Sequence, residues 1–209
     1  MRSVLRSCVC FLVLVCSGLC DAGDQAGEAA SSAPNAFRRG AIETEFVAGA
    51  FFSVDSGYSS RPTINLASQN LRFGVMLSDP GGSGVLAGNA ELLVEAMVGE
   101  VFTGPGSTIA GGTAILRYNF VHPHRWFTPY CQLGVGGSYN DISDTESQAL
   151  LGSEVQFLLE ADLGIRAMLN DRLSLVVEGG LLHLSNAGTT ERNHGLNCLG
   201  GSAGLAFSF

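Results

Sequence analysis

Apolar residues recur at every second position through most of this chain. The clearest run is Val155, Phe157, Leu159, Ala161, Leu163, Ile165, Ala167 and Leu169, alternating with Gln156, Glu160, Asp162 and Arg166. Side chains on a strand alternate between its two faces, so this run predicts a strand with one apolar and one polar face. Similar alternation marks residues 41–53, 70–78, 85–102, 108–120, 127–139 and 173–185, and a last stretch from Asn197 to Phe209, giving about eight strands. Each approaches the length that a tilted strand needs to cross a membrane. No later segment has the eighteen or more consecutive apolar residues of a spanning helix.

Composition sharpens this. The mean hydropathy is positive (+0.27) and only 14% of residues are charged, unusual for a soluble protein with no apolar helix. Both facts fit strands whose outward residues face lipid. The fold class expected is therefore all-β: an eight-stranded antiparallel transmembrane β-barrel of the outer membrane. Its inner face carries Glu95, Arg117, Glu160, Asp162, Arg166 and Glu178, which are expected to pair with one another, so the interior is filled rather than a pore. With the amino terminus on the periplasmic side, the turns at 79–84, 121–126 and 170–172 are short. The opposite segments at 54–69, 140–153 and 186–196 are longer, as such barrels prefer.

The amino terminus reads as an export signal. Residues 1–22 combine Arg2 and Arg6, an apolar core and small residues near Ala22. Residues 23–36 are Ala-, Gly-, Ser- and acid-rich and are expected to be a disordered lead-in, leaving 37–209 for the barrel. Four of the six cysteines fall in the signal, and the other two, Cys131 and Cys198, are expected to face outward unbridged. The net charge of −8 argues against nucleic acid as a partner. His122, His124 and His194 are not joined by a Cys or carboxylate cluster, so no metal site is expected.

The candidate chemistry lies at the seventh strand's end. Leu173, Leu175, Val177, Gly179 and Leu181 share one face, which ends in His183 and Ser185; across a polar loop the next outward stripe begins with Asn197. Same-face neighbours are roughly 7 Å apart at Cα, near enough for an imidazole to activate a hydroxyl. The alternative reading is a pair of interfacial polar residues, since His-x-Ser alone is a weak motif.

His183-Leu184-Ser185-Asn186-Ala187-Gly188, followed by Asn193, Gly195 and Leu196, resembles the lipid A deacylases of the PagL type, with a looser resemblance at Trp126 to Tyr130 and Leu133 to Gly136. That resemblance implies a serine esterase that removes the ester-linked 3-hydroxyacyl chain at the 3-position of lipid A, without a cofactor. Lipid A or lipopolysaccharide would be the substrate. By the same resemblance His183 and Ser185 are catalytic, Asn186 with a backbone donor at Gly188 forms the oxyanion hole, and the acidic third member falls at Asn197. An amide at Asn197 departs from the family's Glu and lacks its negative charge. Glu191 is the nearest loop carboxylate to stand in for it, although loop carboxylates are normally solvated. A family barrel that no longer catalyses is the alternative. The closing Leu205-Ala206-Phe207-Ser208-Phe209 resembles the signal that outer-membrane assembly machinery reads, ending in Phe209. A second copy of the chain, forming a homodimer, is a further candidate partner.

Overall fold

The computed structural model describes residues 35–54, 62–122 and 126–209. The leader at 1–22, and the lead-in as far as residue 34, lie outside these. The strands are β1 (Ile42–Ser53), β2 (Asn65–Met76), β3 (Asn89–Thr103), β4 (Thr108–Asn119), β5 (Phe127–Asn140), β6 (Val155–Met168), β7 (Leu173–Ser185) and β8 (Leu196–Ser208). Each pairs antiparallel with its neighbours in sequence, and β8 returns to β1, closing the barrel. Closure leaves no unpaired strand edge, the condition for a sheet to sit in hydrocarbon.

Alternation decides which way each side chain points. Phe46, Phe73, Val94, Leu116, Val135, Leu163, Ile165 and Val177 are exposed on the outside, whereas most of their strand neighbours are buried. Two strands differ from the sequence expectation. β2 starts at Asn65, not Asn70, and β3 starts at Asn89, with Gly84–Leu86 in a 3-10 turn. In the added part of β2 the polarity is mixed: Leu66 and Ser68 point inward while Ala67 and Gln69 point out. A search for apolar residues on the outer face passes over such a stretch.

The interior has two tiers. The lower holds Arg72, Arg117 and Arg166, all buried, among Glu43, Glu45, Glu91, Glu95, Glu160, Asp162 and Glu178. Arg72 is the hub: its guanidinium reaches Glu45 at 2.6 Å, Glu95 at 2.7 Å and Glu178 at 2.8 Å. Arg117 pairs with Glu45 at 2.9 Å and Arg166 with Glu43 at 2.6 Å. Among the described residues, the six charges expected to pair with one another do not. Glu95 and Glu178 pair with Arg72 of β2, and Arg117 and Arg166 pair with Glu43 and Glu45 of β1 and approach Glu91 of β3. Glu160 and Asp162 accept hydrogen bonds from Thr113 and Gln132, because the barrel brings strands that are distant in sequence together across its lumen. Tyr130 donates its hydroxyl to Glu178 (2.7 Å) and Gln132 bridges Arg117 and Asp162. A void of about 10 Å³ among Arg72, Glu160, Asp162 and Glu178 has room for roughly one water, so this is a packed core.

The upper tier is apolar. Phe51, Ile64, Leu66, Met97, Ile109, Leu158, Leu182, Leu184 and Leu196 form a cluster that Ile142, Leu150 and Leu151 from the β5–β6 loop cover. Cys198 is also buried inside this cluster, correcting the expectation that both thiols face outward; its neighbours Asn197 and Leu199 take the outward positions. Cys131 does sit on the outward parity, and both thiols are free. At the opposite end Asn35–Phe37 form a 3-10 turn. Phe37 packs with Met76 and Val121, beneath the Arg166 guanidinium at 5.4 Å from its ring.

Replacing Arg72 with Met would leave Glu95 and Glu178 without an ion-pair partner, while Glu45 keeps Arg117. Breaking a buried ion pair typically costs about 3–5 kcal/mol, so urea unfolding of the Arg72→Met barrel in lipid vesicles should show a loss of that order. Arg172→Ala, in an exposed turn, should show none.

Candidate active site

β7 and β8 are paired in a register that sets His183 directly opposite Asn197. Both lie on the outward parity, and there the imidazole Nδ1 and the Asn197 Oδ1 are 2.7 Å apart. The amide oxygen accepts from Nδ1–H, which leaves Nε2 with its lone pair free to take a proton. Ser185 follows on the same face, half-buried, at the end of β7. Among the described residues no hydrogen bond joins Ser185 to His183; bonds of this kind are often long until substrate is bound. The group thus sits at the long-loop rim of the barrel, facing out from the wall rather than into the lumen. Beside it opens a cleft of about 110 Å³ lined by Ser53, Pro62, Thr63, Leu150, Gly195 and Asn197.

The chain's relatives bear on what this arrangement is for. A family model described as lipid A 3-O-deacylase (PagL) matches residues 68–206, about two-thirds of the sequence. The chain belongs to the PagL family. Solved structures agree on the fold. The outer-membrane enzyme PagL superposes with a TM-score of 0.55 at 16% identity, covering 78% of this chain and 98% of that one. Neisserial surface protein A gives 0.51 at 13% identity, over 80% and 97%. No curated protein matches the sequence. This PagL-family chain is therefore an integral outer-membrane barrel, and the fold expected from its alternation is the fold observed.

The remaining candidate residues fare differently. Asn186 is buried, and its side chain is engaged within its own loop. Its Nδ2 donates to Thr190 Oγ1 at 2.5 Å and its Oδ1 accepts the Gly188 N–H at 3.0 Å. The Asn186 N–H in turn donates to Asn193 Oδ1 at 3.0 Å. Asn186 thus follows Ser185 directly, but its side-chain donor and the Gly188 N–H hold the loop together in this state. Between them Ala187 adopts a left-handed φ of 54°, the one non-glycine residue to do so among those described. Such a conformation is unfavourable for alanine, and it turns the chain sharply just after the serine. Glu191 is exposed, and no hydrogen bond or ion pair involving it is seen among the described residues; Asn197 holds the place beside His183.

Sequence reading missed the residues that brace this corner. Gly195, at φ 72°, lies so close that a Cβ there would come within 3.1 Å of His183 Cε1. Its N–H donates to the Leu150 carbonyl at 3.0 Å. The positive φ and close approach explain why glycine occupies the position. The Leu150 partnership could not be read from the sequence, because it depends on how the β5–β6 loop folds over the barrel mouth. Of the three histidines considered for metal, His124 lies outside the described residues, and His122 and His194 stand at opposite ends of the barrel. Among the described residues no group of three or more His, Cys, Asp or Glu is arranged to hold a metal ion.

The His183–Asn197 contact makes a quantitative prediction. The amide can fix the imidazole tautomer but adds no charge to stabilise the imidazolium formed in the transition state. Asn197→Glu should raise kcat for ester hydrolysis by about tenfold to a hundredfold with little change in KM, equivalent to roughly 1.4–2.8 kcal/mol of transition-state stabilisation. Asn197→Leu should lower kcat. Steady-state kinetics on refolded barrels checks both.

Proposed function

We propose that this barrel is a lipid A 3-O-deacylase that works as a serine esterase, cutting the ester-linked 3-hydroxyacyl chain at the 3-position from lipid A of the outer leaflet. The observation that carries the reading is the hydrogen bond between His183 and Asn197 on the lipid-facing wall, with Ser185 on the same face. In this position an acyl ester embedded in the leaflet can reach the hydroxyl without leaving the membrane. A soluble ester would meet an apolar belt instead.

In this mechanism His183 Nε2 takes the Ser185 hydroxyl proton as the oxygen attacks the ester carbonyl. A tetrahedral intermediate forms, its C–O bond to the sugar breaks, and His183 gives the proton to the departing sugar oxygen, which leaves as a hydroxyl. Water then attacks the acyl-serine, with His183 again the base, and the free hydroxy fatty acid leaves. Asn197 keeps the ring oriented through both halves. Asn186 and Gly188 supply the oxyanion donors once the carbonyl oxygen competes for the N–H groups that now bind within the loop. No cofactor enters this chemistry. Residues 1–22 act as the export leader and the strand ending in Phe209 as the assembly signal.

A second reading draws on Asn197 itself: a barrel of this family that holds lipid but no longer cleaves it. Mass spectrometry of lipid A incubated with the refolded protein in detergent separates the two. The deacylase reading expects loss of one 3-hydroxyacyl mass with wild type and none with Ser185→Ala. Intact lipid A from wild type, with several lipid A types tried and the barrel shown to be folded, would support the second reading.

A further inference from the structure

Hydrogen bonds at the long-loop rim converge on one cation. Arg192, in the β7–β8 loop, donates through Nη1 to the Thr145 and Gln148 carbonyls at 3.2 and 3.3 Å, and through Nη2 to the Ser143 carbonyl at 3.1 Å. All three acceptors lie in the β5–β6 loop. A guanidinium is suited to such a role, because its fixed planar fork reaches several acceptors at once.

The loop it grips is itself braced. Gln148 accepts the N–H groups of Leu150 and Leu151 at 2.8 and 2.9 Å and donates to the Leu151 and Ile142 carbonyls. Leu150 and Leu151 are buried in the apolar upper tier. The β5–β6 loop is therefore anchored to the barrel core, and Arg192 anchors the β7–β8 loop to it. Two main-chain bonds continue the junction, from His194 N–H to the Ala149 carbonyl (3.3 Å) and from Gly195 N–H to the Leu150 carbonyl (3.0 Å).

The same short stretch touches the reacting group from the other side. Gly195 lies against the His183 ring, Asn193 Oδ1 accepts the Asn186 N–H, and the Arg192 carbonyl accepts from Thr190 Oγ1 at 3.2 Å. A continuous chain of contacts thus runs from the buried leucines through Arg192 to His183 and to the residue after Ser185.

We propose that Arg192 is a positioning residue for the reaction: by clamping the β7–β8 loop onto the β5–β6 loop it holds Gly195 against His183 and keeps the imidazole aligned with Ser185. The proposal rests on the deacylase reading of the same site. Releasing the clamp lets Gly195 withdraw, and a loosened imidazole costs turnover more than binding, since misplacement by about 1 Å can cost on the order of a hundredfold.

The test combines lipid A deacylation kinetics with an observation of His183 that needs no turnover. Wild type, Arg192→Ala, Arg192→Lys and Arg172→Ala would be refolded in detergent. The His183 Cε1–H resonance, assigned by its loss in His183→Gln, would be followed in each. We expect Arg192→Ala to lower kcat by about tenfold or more with KM within about threefold, and to shift or broaden the His183 resonance, at an unchanged urea midpoint for the barrel. Arg192→Lys should recover part of both effects, and Arg172→Ala should match wild type. Wild-type kcat together with an unmoved His183 resonance in Arg192→Ala would overturn the proposal, as would a rise in KM alone. If wild type itself fails to deacylate, the deacylase reading falls, and the resonance still decides whether Arg192 positions His183.

Discussion

Hydrocarbon leaves a backbone no water to bond, and the closed ladder from β1 through β8 and back to β1 satisfies its N–H and C=O groups across the membrane. Everything else here follows from that closure. Once the ladder is closed, each strand has one face toward lipid and one toward the lumen, and the side-chain period of two fixes which residue goes where. A one-residue slip at β7 would turn His183 and Ser185 inward among the packed side chains and expose Glu178 to lipid. Register thus links stability to chemistry: the pairing that buries Glu178 beside Arg72 also leaves His183 facing out, opposite Asn197.

The lumen is arranged to hold that register. Three buried guanidiniums, from β2, β4 and β6, tie carboxylates of β1, β3 and β7 together across the barrel, and Tyr130 and Gln132 donate to Glu178 and Asp162. Above them the core turns apolar, and the β5–β6 loop closes it with Ile142, Leu150 and Leu151. That change of polarity gives the outer rim a firm floor. Loops at the rim of a barrel are usually its most mobile parts, yet here the segment after Ser185 is bonded to a loop that is rooted in the core.

Much of this was legible from alternation alone. Six strands read within a residue or so of their observed bounds, because lipid demands a simple pattern on the outer face. The early part of β2 gives no such signal because its polarity is mixed: Leu66 packs inward with the upper tier while Gln69 points out. Ion-pair partners were not legible, since Arg166 meets Glu43 across 123 positions of sequence and only the closed barrel brings them together. At the site, the shared face of His183, Ser185 and Asn197 followed from parity. The engagement of Asn186 by Thr190 and Gly188, and the clamp at Arg192, belong to loop conformation, for which no periodic signal exists.

The account stands on the claim that Ser185 is a nucleophile addressed from the lipid side, and covalent capture tests that most directly. An alkyl fluorophosphonate carried in mixed micelles should phosphonylate Ser185, seen as an adduct on the peptide that contains it, and His183→Ala should abolish the labelling. Deacylation of lipid A without any adduct at Ser185, or an adduct on a different residue, would contradict it.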